Sequence, residues 1–143
     1  MSVMSTCSGR SWLYRVAPQV FRCVYDPKVV EDIVVANKGS GPRVLLVHGG
    51  ASPATTFGAL DQLASRWTLS YAYRRGYPPS PPWDTRQDFA VDAADIGVHL
   101  TSDSHVVAHS YGCLGSLIAA GLDPDSVRSL TIIEPPLSYL APS

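Results

Sequence analysis

The chain has 143 residues, 45 % of them hydrophobic, and carries 11 Lys+Arg against 12 Asp+Glu for a net charge of −1. That size and balance describe one soluble globular domain at most; with no run of Lys or Arg, the electrostatic footprint of a nucleic-acid binder is missing. Cys7, Cys23 and Cys113 are too few and too irregularly spaced for a disulfide framework or a zinc site, the N-terminal stretch lacks a signal-peptide core, and no apolar run approaches the ~18 residues of a membrane span, so a cytoplasmic location is expected.

Residues 1–20 show no clear period and read as an N-terminal extension. Residues 21–25 and 33–36 are short β-rich runs, and Lys38-Gly39-Ser40-Gly41-Pro42 is a turn cluster that ends the second. Val44-Leu45-Leu46-Val47 is apolar on both faces, the pattern of a central parallel strand covered by helices, and His48-Gly49-Gly50 breaks it. Ser52-Pro53 reads as an N-cap followed by proline at N1, with Phe57, Leu60, Leu63, Ala64 and Trp67 recurring at helical intervals. Residues 68–73 form the next strand, and the proline-rich stretch 76–82 is neither helix nor central strand.

Thr85-Arg86-Gln87-Asp88 has the form of a capping box for a helix carrying Phe89, Ala93, Ile96 and Leu100, with His99 inside it. Ser104-His105-Val106-Val107 is a short buried strand, and a helix starting at Cys113 repeats its apolar positions at Leu114, Leu117 and Ile118. Gly121 is the expected C′ residue of that helix, ahead of Pro124, and residues 127–133 make one more apolar strand before Glu134-Pro135-Pro136. The alternation of strands and helices predicts an α/β protein: a mostly parallel sheet with flanking helices.

In such sheets, sites lie beyond the carboxyl ends of the strands. His48-Gly49-Gly50, Ser110-Tyr111 and Glu134 each follow a predicted strand, so all three converge on one edge. Ala108-His109-Ser110-Tyr111-Gly112 joins strand to helix in the manner of a nucleophile elbow, a tight turn that exposes a hydroxyl at the helix N-terminus. The competing reading makes Ser110 an ordinary helix cap.

These segments resemble, in order, the α/β-hydrolase superfamily, specifically its cofactor-free serine hydrolases. Val44-Leu45-Leu46-Val47-His48-Gly49-Gly50 is similar to that family's third strand and oxyanion loop, and Arg74-Arg75-Gly76-Tyr77 with Ser80 to the loop after its fourth strand. The stretch from His105 to Gly112 is similar to its fifth strand and elbow, and Leu130-Thr131-Ile132-Ile133-Glu134-Pro135 to its sixth strand. The resemblance implies Ser110 as nucleophile, the backbone N–H groups of Gly50 and Tyr111 as oxyanion donors with Ala51 a weaker alternative, no cofactor, no metal, and a small-molecule ester, amide or related carbonyl substrate. Dehalogenase-like and epoxide-hydrolase-like relatives are disfavoured because position 110 is serine rather than aspartate.

In this family the catalytic acid usually follows the seventh strand and the histidine the eighth, whereas residues 21–143 end just after the sixth and read as a partial α/β-hydrolase domain. Some relatives place the acid after the sixth strand, where Glu134 stands. His48, His99, His105 and His109 all lie away from the expected position of the base, and His109 reads as structural. Arg74 and Arg75 are expected to pair with carboxylates that hold their loop rather than to clamp an anion; Pro78 to Trp83 has P-x-x-P spacing, subordinate here to its place in a proline-tolerant loop. Two readings follow: a serine hydrolase working by acyl transfer, and a truncated, catalytically incompetent hydrolase-like fragment or interaction module. The second includes self-association through the exposed edge of the sixth strand.

Overall fold

The computed structural model describes the strand backbones at Leu13–Val16 and Gln19–Arg22 and residues 32–83 and 87–137. The chain divides into two compact units, residues 1–31 and 32–143. In the first, β1 (Leu13–Val16) pairs antiparallel with β2 (Gln19–Arg22), Leu13 opposite Arg22. The hydropathy of this stretch gave no hint of β1; the predicted run at 21–25 overlaps β2 only at its start, and its remainder falls outside the described residues.

The second unit is built on a five-stranded sheet of order β3-β5-β4-β6-β7. These strands are β3 (Val35–Lys38), β4 (Arg43–Val47), β5 (Thr68–Ala72), β6 (Ser104–His109) and β7 (Val127–Ile133). Only β3 runs antiparallel to its neighbour; β5, β4, β6 and β7 are mutually parallel. The sheet is therefore mostly parallel, as the strand–helix alternation requires.

Strand β4 lies at the centre, and its alternating side chains divide the core. Leu45 and Val47 join Ala72, Val106, Ala108, Ala93, Ile96, Cys113 and Ala119 on one face, while Leu46 joins Phe57, Leu69 and Tyr71 on the other. Leu45, Leu46 and Val47 are fully buried, which explains why this segment is apolar throughout rather than alternating. The first face is covered by α2 (Phe89–Gly97) and α3 (Gly112–Leu122), the second by α1 (Pro53–Phe57) and a 3₁₀ segment at Gly58–Ser65. Among the described residues no helix is long and apolar enough to cross a membrane.

Helix boundaries differ from the sequence expectations in four places. Ser52 does cap α1, accepting the Thr55 N–H at 3.3 Å, and Pro53 is at N1. The expected single helix nevertheless gives way after five residues to the 3₁₀ segment, since Thr55, Thr56 and Gly58 are poor α-helix formers; Leu60, Ala64 and Trp67 still pack on the core, but Leu63 is exposed.

Helix α2 is capped by Asp88, whose carboxylate accepts the Ala90 N–H at 2.7 Å. The expected capping box made Asp88 the fourth residue rather than the cap, and Thr85 and Arg86 fall outside the described residues. His99 follows α2 in a turn instead of lying within it, and Gly121 is inside α3, whose C-cap is Asp123.

Candidate functional site

Ser110 sits between β6 and α3 with φ = +50°, a left-handed backbone that costs an L-residue roughly 1–2 kcal/mol. Neighbouring bonds hold it there: its N–H donates to the Ile133 carbonyl at 2.9 Å and its own carbonyl accepts the Cys113 N–H at 2.9 Å. Tyr111, the next residue, already has helical backbone angles and makes no side-chain cap bond to α3.

Close approach explains the glycines around it. A Cβ on Gly112 would stand 2.4 Å from the His48 carbonyl oxygen and 2.8 Å from that of Val47; glycine lets the start of α3 lie against the end of β4. A Cβ on Gly49 would meet the Ser110 Cβ at 2.7 Å and its Oγ at 3.2 Å, whereas around Gly50 the corresponding space is open. The loop after β4 thus packs directly on the serine, and Gly50 borders free volume.

His48 is fully buried and organises that loop. Its Nε2 accepts the Arg74 backbone N–H at 3.0 Å, so the ring proton is on Nδ1, which donates to the Gly49 carbonyl at 3.0 Å. Burial, and then the charge of Arg74, push its pKa down to about 4, which keeps the imidazole neutral. Tyr77 packs edge-on against the His48 ring and donates its hydroxyl proton to the Gly50 carbonyl at 3.0 Å.

Both loop arginines pair with carboxylates, as expected. Arg75 grips Asp95 with two bonds, Nε to Oδ2 at 3.0 Å and Nη2 to Oδ1 at 2.8 Å. Arg74 and Asp92, each about 1 % exposed, meet through one bond, Nη2 to Oδ2 at 2.6 Å. Arg74 Nη1 donates to the Gly49 carbonyl at 3.1 Å, and its guanidinium lies 4.4 Å above the Tyr111 ring. Burial raises the Asp92 pKa against the opposing pull of Arg74. Ser80 closes the loop, accepting the Val34 N–H at 2.7 Å and donating to the Tyr73 carbonyl.

Asp92 and Asp95 were not singled out from the sequence. Their signal is positional: three residues apart, they lie on the buried side of α2 with Ala93 and Ile96.

Glu134 follows β7, also at positive φ (+51°), and its side chain is 82 % exposed. Its Oε2 lies 3.5 Å from His109 Nε2. His105 is engaged with Ser129 Oγ at 2.7 Å, and burial lowers the pKa of His99. Strand register thus brings Gly49-Gly50, Ser110 and Glu134 to the carboxyl edge of three adjacent parallel strands, with Val47 beside Ala108 and His109 beside Ile133. Among the described residues no cluster of three or more His, Cys, Asp or Glu could hold a metal ion.

Comparison with known proteins agrees with this architecture. Residues 44–142 match the model of the alpha/beta hydrolase family. Over 106 residues the chain is 35 % identical to 2-(acetamidomethylene)succinate hydrolase of Mesorhizobium japonicum, covering 70 % of this chain and 38 % of that protein. The crystal structure of E-2-(acetamidomethylene)succinate hydrolase superposes with a TM-score of 0.56 at 31 % identity, over 68 % of this chain and 38 % of the other. N-formylmaleamic acid deformylase from Pseudomonas putida superposes with a TM-score of 0.62 at 25 % identity, over 71 % and 42 %. The chain therefore spans about two-fifths of the length of these relatives. The family match over residues 44–142, on a mostly parallel sheet that superposes on these hydrolases, makes this chain a member of the alpha/beta hydrolase family.

Proposed function

We propose that this chain carries the nucleophile-bearing part of a hydrolase that works by acyl transfer, with Ser110 attacking an ester, amide or related carbonyl. The observation that carries this reading is the elbow: a serine at φ = +50° between a parallel strand and a helix, with Gly49 packed on its side chain. Attack places negative charge on the carbonyl oxygen, and the N–H groups of Gly50 and Tyr111 are its donors; loss of one such donor typically costs about 2.7–4 kcal/mol of barrier. Glu134 is the candidate acid that orients a histidine. The two named relatives favour amides of small carboxylic acids as the first substrates to try.

A second reading, a hydrolase-like module without turnover of its own, is supported by the histidines. His48 has both ring nitrogens engaged, His105 is bonded to Ser129 and His109 lies against Glu134. In this reading the chain associates through β7, which pairs with β6 along one edge and exposes Ile133. A fluorophosphonate probe separates the two. Labelling that disappears in Ser110→Ala, with release of acetate from 2-(acetamidomethylene)succinate, supports the enzyme. A folded chain that labels no faster than Ser110→Ala overturns the nucleophile assignment.

A further inference from the structure

Resting on the assignment of Gly50 N–H as an oxyanion donor, we propose that Arg74 is a positioning residue that aims this donor and ties it to the second donor at Tyr111. The Gly49 carbonyl and the Gly50 N–H belong to one peptide group. A trans peptide is planar, with its C=O and N–H pointing in opposite directions, so whatever anchors the Gly49 oxygen sets the direction of the Gly50 hydrogen. That oxygen accepts from Arg74 Nη1 at 3.1 Å and from His48 Nδ1 at 3.0 Å. A cationic donor on the carbonyl also polarises the peptide and strengthens its N–H as a donor.

The same guanidinium covers the Tyr111 ring at 4.4 Å, and Phe89 packs against that ring with centroids 4.5 Å apart. Both contact the Tyr111 ring, and the Tyr111 backbone N–H is the other proposed donor. One buried side chain therefore touches both halves of a site whose donors come from different strands.

The neighbouring ion pair has a different geometry. Arg75 meets Asp95 in a two-bond fork. Arg74 divides its fork between Asp92 and Gly49, leaving its own Nε and Asp92 Oδ1 buried without hydrogen-bond partners. Orphaned buried groups oppose folding, and buried ion pairs are weak contributors to stability. The arrangement costs stability while fixing the orientation of one peptide.

The test uses the full chain and measures the second-order rate of Ser110 labelling by a fluorophosphonate and by its P=S analogue, whose larger, less polar sulfur depends less on oxyanion donors. In the reaction Ser110 Oγ bonds to phosphorus, fluoride leaves, and the hydroxyl proton passes to solvent. Arg74→Met is expected to slow P=O labelling roughly tenfold, part of the effect of removing a donor outright, and to shrink the P=O to P=S rate ratio. General loosening of the fold leaves that ratio unchanged. If Arg74→Met does not fold, Asp92→Asn, which removes the anchor charge at constant shape, carries the same expectation at smaller size. A folded variant with an unchanged rate ratio overturns the positioning role and leaves Ser110 standing. Absence of Ser110-dependent labelling in the unsubstituted chain overturns the nucleophile assignment instead.

Discussion

Replacing Gly112 with alanine adds one methyl group at the tightest contact around the elbow. Built on the existing backbone, that Cβ lies 2.4 Å from the His48 carbonyl oxygen, 2.8 Å from the Val47 carbonyl oxygen and 3.0 Å from Val47 Cγ1. Two of the three obstacles are backbone oxygens at the end of the central strand and of the residue after it, so no rotamer change relieves them; the helix must move away. Overpacking of this kind typically costs 1–3 kcal/mol, and immovable backbone places this site near the upper end, at about 3 kcal/mol. Alanine returns up to about 1 kcal/mol of helix propensity, leaving a net loss near 2 kcal/mol. For a domain of this size that lowers the midpoint of thermal unfolding by roughly 6 °C. Gly121→Ala in the same helix is the internal control: beyond its chain neighbours and its own helical turn, no atom lies within 4 Å of its Cβ, so it is expected to stabilise by up to about 1 kcal/mol. Urea and thermal unfolding followed by circular dichroism measure both. A Gly112→Ala chain as stable as the parent would refute the close-approach argument and, with it, the claim that the α3 start is seated on the end of β4.

Three further outcomes are expected. Ser110→Gly relieves the positive φ and should raise stability by about 0.5–1 kcal/mol, after allowing for the greater freedom of glycine in the unfolded chain; a loss of stability in urea titrations would show that the side chain contributes more than the backbone strain costs. His48 is neutral in the fold, with its pKa down from 6.5 to about 4. Its contribution is therefore fully present above pH 6.5 and is lost as pH falls toward 4, because the unfolded chain takes up a proton that the folded one refuses; the loss is on the order of 3 kcal/mol. Subtracting the stability–pH profile of His48→Asn, which cannot titrate, should leave that slope, and parallel profiles would exclude it. Asp95→Ala removes the carboxylate that pairs with the buried Arg75 guanidinium and should cost about 3 kcal/mol in urea unfolding; a cost below ~1 kcal/mol would mean that the pair is far more hydrated than its geometry implies.

How much of this was legible in the sequence depends on the range of the interactions involved. Strand β4 could be read directly because burial on both faces demands an unbroken apolar run, and the Ser52-Pro53 start of α1 because capping is a local hydrogen bond. The tight turn at Ser110 was legible too: a small-residue turn between a strand and a helix is local chemistry, and Ser110 takes a positive φ there. Helix ends were less so. Gly121 offers a stop signal, yet α3 continues past it to Leu122, and α1 changes to 3₁₀ geometry while keeping Leu60, Ala64 and Trp67 on the core. At α1 local preference ended the α-helix early, and packing kept the 3₁₀ segment that follows on the core.

What the sequence determined by itself was the alternation of strands and helices in the second unit, its apolar strands and the set of residues brought to one edge, since hydrophobic period and turn chemistry act within a few positions. Only the tertiary structure decided the partners. Nothing in the local pattern links Arg74 to Gly49, twenty-five positions earlier, or to Asp92, eighteen positions later, nor shows that Glu134 meets His109. Buried polar groups must be satisfied by whichever atoms the folded sheet brings within hydrogen-bonding distance, and that distance exists only once strands from separate parts of the chain lie side by side.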